Sequence, residues 1–147
     1  VPGIDDETTE RLFKENYRFT NCHFKPEARA VVEALTQADV SLHVVTNSDP
    51  GAVGAKLDEM APRGRSDIGL HGNARKFLVT EPSEHAGHRR FARVPEVLEV
   101  PDWDRPVFAR RGQYFDALES IWHETGTRPQ ETLVVGDVFE LDLALPN

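Results

Sequence analysis

The sequence contains a single cysteine, Cys22, and it contains no apolar run of membrane-spanning length. One cysteine allows no internal disulfide, which favours a reducing compartment, so we expect a cytoplasmic protein. A helix that crosses a bilayer needs about 20 consecutive, mostly apolar residues. The sequence therefore predicts that the protein has no membrane partner.

Positive charge is also scarce. The sequence has 17 lysine and arginine residues against 25 aspartate and glutamate residues, which gives a formal net charge of -8. Binding to a nucleic-acid backbone needs a basic face, so we expect no nucleic-acid partner. The one basic cluster, residues 88–93, is interpreted as a solvated loop, with an anion-recruiting patch as the alternative.

The sequence does contain an alternation of helix and strand patterns. Apolar side chains at helical spacing predict helices, and short alternating or continuous apolar runs predict strands. The predicted helices are residues 6–17, 27–37, 50–60 and 112–124, and the predicted strands are residues 40–45, 76–80, 106–109 and 132–135. This alternation is typical of an α/β fold with a parallel sheet.

One stretch does not follow the alternation. Residues 81–104 are rich in proline, histidine and charge, and we interpret them as an insertion or mobile loop. The length of 147 residues suits one domain with a hydrophobic core.

Polar residues follow the predicted strand 40–45. Thr46, Asn47 and Ser48 lie where the strand turns into the next helix. In an open parallel sheet, ligands gather outside the carboxyl ends of the strands. A hydroxyl there, with backbone amides at a helix N-terminus, can bind a phosphate oxygen. The alternative is an ordinary turn in which small polar residues cap the helix.

A second polar group follows the predicted strand 132–135. Gly136 permits close approach of the backbone to a ligand, and Asp137 and Asp142 could face one point. Carboxylate oxygens are the ligands that Mg²⁺ prefers. The alternative is a glycine turn followed by a helix-capping acid.

A pair of basic residues precedes the predicted helix 112–124. Either Arg110 or Arg111 could neutralise a bound phosphate and a nearby carboxylate. The alternative is an arginine pair on the surface.

In this order, these residues resemble the motifs of the haloacid dehalogenase-like (HAD) superfamily of hydrolases. Thr46 corresponds to motif II, Arg110 or Arg111 to motif III, and the pair Asp137 and Asp142 to motif IV. The resemblance covers residues 24 to 146. It implies a Rossmann-like parallel sheet flanked by helices over residues 24–147, with residues 1–23 as the end of a helical cap.

The resemblance also implies a function, a Mg²⁺-dependent phosphohydrolase that acts on a small phosphorylated metabolite. The acidic pair favours phosphate chemistry, because the metal-independent dehalogenase branch does not keep it. The family's nucleophile is the first aspartate of an Asp-x-Asp-x-Thr motif that follows a buried strand. Asp5 stands in a partial match but has no such strand before it, so we expect the nucleophile to lie upstream of Val1. The alternative is a non-catalytic HAD-like or Rossmann-type module for binding or assembly.

Overall fold

The computed structural model describes residues 24–83 and 88–146, together with positions 8, 11, 12 and 15. Those four positions are helical, as the pattern over residues 6–17 predicts. The rest of that predicted helix, most of the cap assigned to residues 1–23, and Asp5 all lie outside the described residues.

The first half of the described chain alternates helix and strand. Its elements are α1 (Ala28–Gln37), β1 (Leu42–Val45), α2 (Pro50–Met60) and β2 (Ile68–His71). The carboxylate of Asp49 caps α2 by accepting a hydrogen bond of 3.0 Å from the backbone N–H of Ala52. The predictions of both helices and of β1 are therefore confirmed, and β2 is an addition.

Strands β1 and β2 pair in parallel, with Leu42 opposite Ile68 and Val45 opposite His71. The ring of His43 leans over Gly69, where a Cβ atom would lie 2.3 Å from Nδ1 of His43. Glycine at this position therefore lets the histidine lie flat against the neighbouring strand.

The second half contains α3 (His88–Phe91), β3 (Val97–Leu98), β4 (Val107–Phe108) and α4 (Gly112–Thr125). Strands β3 and β4 form an antiparallel pair. The prediction of α4 is confirmed, including its end at Gly126, which has the left-handed φ of 68°. Residues 81–104, interpreted from the sequence as an insertion or mobile loop, contain α3 and β3 in their described part, and Phe91 is only 1% exposed.

Two predicted strands are not strands. Residues 76–80 begin with a turn and form only an isolated bridge between Thr80 and Arg111. Thr132 has extended backbone angles, but residues 132–135 join no sheet of the described chain, and Leu133 and Val135 are 87% and 85% exposed. An apolar run predicts a strand only where a neighbouring strand is available to pair with it. A π-helical turn, Phe139–Leu143, follows this segment.

The hydrophobic core lies along α4. The apolar stripe of this helix packs against Phe91 and Leu145, and Phe91 and Phe115 make an edge-to-face contact with centroids 5.1 Å apart. Val45 of β1 contacts this cluster. The described residues thus form a mixed α/β structure with one parallel and one antiparallel pair of strands. No helix within the described ranges is long and apolar enough to cross a membrane.

Candidate functional site

The turn after β1 is held by its own polar groups. Oγ1 of Thr46 accepts a hydrogen bond of 3.1 Å from the backbone N–H of Ser48. The backbone carbonyl of Thr46 accepts a bond from the N–H of Ala74, and the side-chain oxygen of Asn47 accepts one of 2.6 Å from the N–H of Lys76. The predicted phosphate-binding residues therefore sit at the carboxyl end of β1, tied to residues 74–76.

Lys76 brings a cation to this point. Its Nζ donates a hydrogen bond of 3.1 Å to the carbonyl oxygen of Val45, the last residue of β1. The same ammonium forms an ion pair with Oδ1 of Asp142, and both side chains are nearly buried, with 13% and 11% exposure. Nζ also lies 5.6 Å from the centre of the Tyr114 ring, within the range of a cation–π contact.

Asp142 is enclosed from several sides. Its Oδ2 accepts a hydrogen bond of 3.1 Å from the backbone N–H of Val138, and its backbone carbonyl accepts one of 2.9 Å from the hydroxyl of Tyr114. A Cβ atom at Gly136 would lie 2.2 Å from Cβ of Asp142. The glycine therefore allows the chain at residue 136 to pass directly against this carboxylate.

The two arginines of the predicted motif III point to different partners. Arg111 is buried. Its guanidinium donates a hydrogen bond of 2.6 Å to the backbone carbonyl of Lys76 and one of 3.3 Å to Oε1 of Glu140. Arg110 instead pairs with Glu81 at 2.9 Å, and its guanidinium stacks 4.9 Å from the centre of the Phe91 ring. The structure brings Arg111 next to the site and directs the charged end of Arg110 away from it.

Burial shapes the protonation of this region. Burial lowers the pKa of Arg111, and the nearby Glu140 partly offsets this effect. Burial, together with the charge of Asp142, raises the pKa of Tyr114 to about 12. The hydroxyl of Tyr114 therefore stays protonated near neutral pH and remains a hydrogen-bond donor to Asp142.

A groove of about 480 Å³ separates β1 from residues 132–135. Lys76, Tyr114 and Asp142 line it together with apolar side chains of both walls. Because β1 pairs only with β2 among the described strands, its other edge has no strand partner there. The groove therefore lies along the unpaired edge of β1, and Thr46 follows the carboxyl end of this strand.

The predicted metal ligands differ in their surroundings. Asp142 is buried and paired with Lys76, whereas Asp137 is exposed. Within the described ranges, no group of three or more histidine, cysteine, aspartate and glutamate residues is arranged to hold a metal ion. Carboxylate oxygens are nevertheless the hard ligands that Mg²⁺ binds, and Mg²⁺ usually keeps several waters.

The sequence reasoning missed Lys76. The residue lies in a run interpreted as a strand, and its partner Asp142 is 66 positions further along the chain. No local signal marked it, because Lys76 is far along the chain from both the Thr46-Asn47-Ser48 turn and Asp142. A parallel sheet returns the chain to that edge, but the sequence alone did not show that β2 makes this return.

Comparisons with known proteins give no family for this chain. No family model, no curated protein and no solved structure matches it.

Proposed function

We propose that this chain carries part of the site of a Mg²⁺-dependent HAD-like phosphohydrolase that acts on a small phosphorylated metabolite. The observation that carries the proposal is the meeting of the Thr46 turn, the ammonium of Lys76 and the carboxylate of Asp142 at the carboxyl end of β1. Parallel α/β structures place their ligands at this edge.

Each group has a role that its contacts support. In this proposal the hydroxyl of Thr46 donates to a phosphate oxygen while it accepts the backbone N–H of Ser48, and the backbone amide of Asn47 donates to the same phosphate. Lys76, rather than Arg110, is the cation that neutralises the phosphate, because its ammonium already faces the end of β1. Arg111 donates to the backbone carbonyl of Lys76 and so positions it.

Asp137 and Asp142 are the residues that would hold the metal. When bound, Mg²⁺ would supply charge for a phosphate oxygen. The ammonium of Lys76 already compensates one oxygen of Asp142, and Asp137 is open to solvent. This donor set fits a metal that keeps most of its water ligands.

The groove beside β1 supports the same proposal. A strand lying in the groove parallel to β1 would end beside Lys76 and Asp142. The resemblance implies an aspartate nucleophile at the end of such a strand, whose carboxylate would attack the phosphorus atom and displace the alcohol of the ester. Water would then hydrolyse the aspartyl phosphate and release inorganic phosphate. Carboxylate nucleophilic catalysis of this kind splits phosphate transfer into two steps.

The decisive test is hydrolysis of p-nitrophenyl phosphate by the gene-encoded polypeptide, measured with and without Mg²⁺. We expect hydrolysis that requires Mg²⁺ and that falls by at least about a hundredfold in Lys76→Met, because removing one pre-organised donor costs that much in comparable sites. Lys25→Met, an exposed lysine remote from the site, is the matched control. A folded polypeptide with no Mg²⁺-dependent hydrolysis of any phosphate ester in a small panel would contradict the proposal.

The metal assignment has its own test. Calorimetric titration of Mg²⁺ into this chain should give heat that is lost in Asp137→Asn and kept in Asp39→Asn, an exposed aspartate elsewhere. Equal binding by all three proteins would remove Asp137 from the metal site.

A second candidate function is a non-catalytic module for binding or assembly. It is favoured by the exposure of Leu133 and Val135, two apolar side chains on one segment. The hydrolysis assay separates the two functions, since a binding module shows no turnover in any variant.

A further inference from the structure

A separate cavity of about 650 Å³ lies between α3, α4 and the segment from residue 128 to residue 146. Its size is within the range of small-molecule sites, about 300–1,000 Å³. The residues at its wall do not include Lys76 or Asp142. The cavity adjoins the groove beside β1, with which it shares Leu118, Thr132 and Val134, but it does not include the groups proposed to bind phosphate, and a ligand could bind in it whether or not the proposed function is correct.

The floor of this cavity is apolar and rigid. Phe115, Leu118 and Trp122 of α4 belong to the hydrophobic core, yet each also lines the cavity. The indole N–H of Trp122 donates a hydrogen bond of 2.9 Å to Oγ1 of Thr132, which fixes the ring. Val134 lines another part of the wall. A flat apolar or aromatic body would find a preformed surface here.

Three arginines line the same cavity. Arg90 pairs with Glu119 at 2.9 Å, and Arg128 pairs with Glu131 at 2.6 Å, so each of these charges is already balanced. Arg93 has no carboxylate partner in the part of the chain that the structure describes. Among the described residues, the cavity thus presents one guanidinium without a carboxylate partner beside two that are paired.

This arrangement is unusual for the chain as a whole, whose formal net charge is -8. An acidic protein repels anions at long range, so any anion that binds must be held by local contacts. A guanidinium provides such contacts, because its N–H groups match carboxylate, sulfonate and phosphate oxygens. The basic cluster at residues 88–93 therefore supplies more than solvated charge, since Arg90 and Arg93 both face a cavity with an aromatic floor.

We propose that this cavity binds a small organic anion, with an apolar or aromatic body against Trp122 and an anionic group at Arg93. Arg90 lies 6.0 Å from the centre of the Trp122 ring and extends the cationic side of the cavity over that ring. The ligand class is an aryl or alkyl chain that ends in a carboxylate, sulfonate or phosphate.

The probe for this proposal is 1-anilinonaphthalene-8-sulfonate, which combines an aromatic body with one sulfonate. Its fluorescence should rise saturably with this chain at a stoichiometry of one. In Arg93→Gln the dissociation constant should increase roughly tenfold, as expected for the loss of one charge-assisted hydrogen bond. Arg89 belongs to the same basic cluster but is exposed and lies outside the cavity wall. In Arg89→Gln the dissociation constant should therefore stay within about twofold of the value for the unsubstituted chain.

A neutral analogue separates charge recognition from simple apolar binding. N-phenyl-1-naphthylamine lacks the sulfonate, so its affinity should be the same for the unsubstituted chain and for Arg93→Gln. Decanoate should displace both probes. The proposal is overturned if Arg93→Gln and Arg89→Gln weaken sulfonate binding equally, if Arg93→Gln weakens both probes equally, or if binding does not saturate.

Discussion

Replacing Lys76 with methionine removes an ammonium group and leaves the carboxylate of Asp142 almost buried, with 11% of its side chain exposed. Methionine keeps most of the apolar stem of lysine, so the change acts mainly through charge. Removal of one partner from a buried ion pair typically costs about 3–5 kcal/mol, because the remaining charge loses its compensation. Both side chains keep some solvent contact, so we expect the lower end of that range, about 3 kcal/mol.

The free energy of unfolding is measured by urea denaturation at pH 7. In thermal unfolding, a loss of about 3 kcal/mol in this free energy corresponds to a fall in melting temperature of roughly 6–12 °C for a chain of this size. The exposed change Lys25→Met should stay within about 0.5 kcal/mol of the unsubstituted protein.

A double-mutant cycle isolates the pair itself. Asp142→Asn alone leaves the ammonium without its carboxylate partner, whereas the double variant with Lys76→Met removes both charges of the pair. We therefore expect the losses of unfolding free energy in the two single variants, added together, to exceed the loss in the double variant by about 2 kcal/mol. A loss below about 1 kcal/mol in Lys76→Met, or single losses that simply add, would refute the reasoning that this pair is a buried and coupled interaction.

Three further predictions concern stability and its dependence on pH. The carboxylate of Glu33 accepts hydrogen bonds from two arginines, which lower its pKa from 4.5 to about 2. Its contribution to stability is therefore present above pH 4.5 and is lost as the pH falls towards 2. In Glu33→Gln, the midpoint of urea unfolding should therefore vary less with pH between these two values. Burial, with the charge of the neighbouring His71, lowers the pKa of His43 below 6.5. The unfolded chain then binds the proton more readily, so the free energy of unfolding should fall as the pH drops below 6.5, and His43→Gln should reduce that slope. Gly136→Ala should lower the free energy of unfolding by about 1–3 kcal/mol, because the new Cβ would lie 2.2 Å from Cβ of Asp142. At Gly54 the nearest atom is 3.7 Å from a new Cβ, so Gly54→Ala should instead stabilise α2 by up to about 1 kcal/mol in the same urea assay.

Sequence patterns predicted those elements whose signals are local. The Asp49-Pro50 start of α2 and the apolar stripe of α4 up to Gly126 depend on neighbours within a few residues, and both are confirmed. Strand β2 was missed because it is only four residues long and contains Gly69, which has low strand propensity. The strand predicted at residues 132–135 is wrong for the opposite reason, since its apolar run is strong but no described strand pairs with it.

The candidate site divides in the same way. Thr46 follows the end of β1, and the acids at residues 137 and 142 follow an apolar run that ends in glycine, so their chemistry could be proposed from the sequence. The cation could not, because two arginines and one lysine all precede or follow apolar runs, and only long-range packing distinguishes them. Lys76 meets Asp142 through contacts that join distant parts of the chain, whereas Arg110 is drawn to Glu81.

The π-helical turn Phe139–Leu143 contributes to both of the sites inferred in this chain. The wide π turn is a rare geometry that is frequent at functional sites. Its polar members Glu140 and Asp142 contact Arg111 and Lys76, while its apolar members Phe139 and Leu143 line the cavity beside α4. Any ligand that displaces Phe139 or Leu143 must therefore act on the same short turn that holds Asp142 against Gly136. The two proposed sites are then physically joined through this turn. If both proposals hold, occupation of the cavity should alter the Mg²⁺ affinity of the proposed metal site, with the reverse effect of equal size.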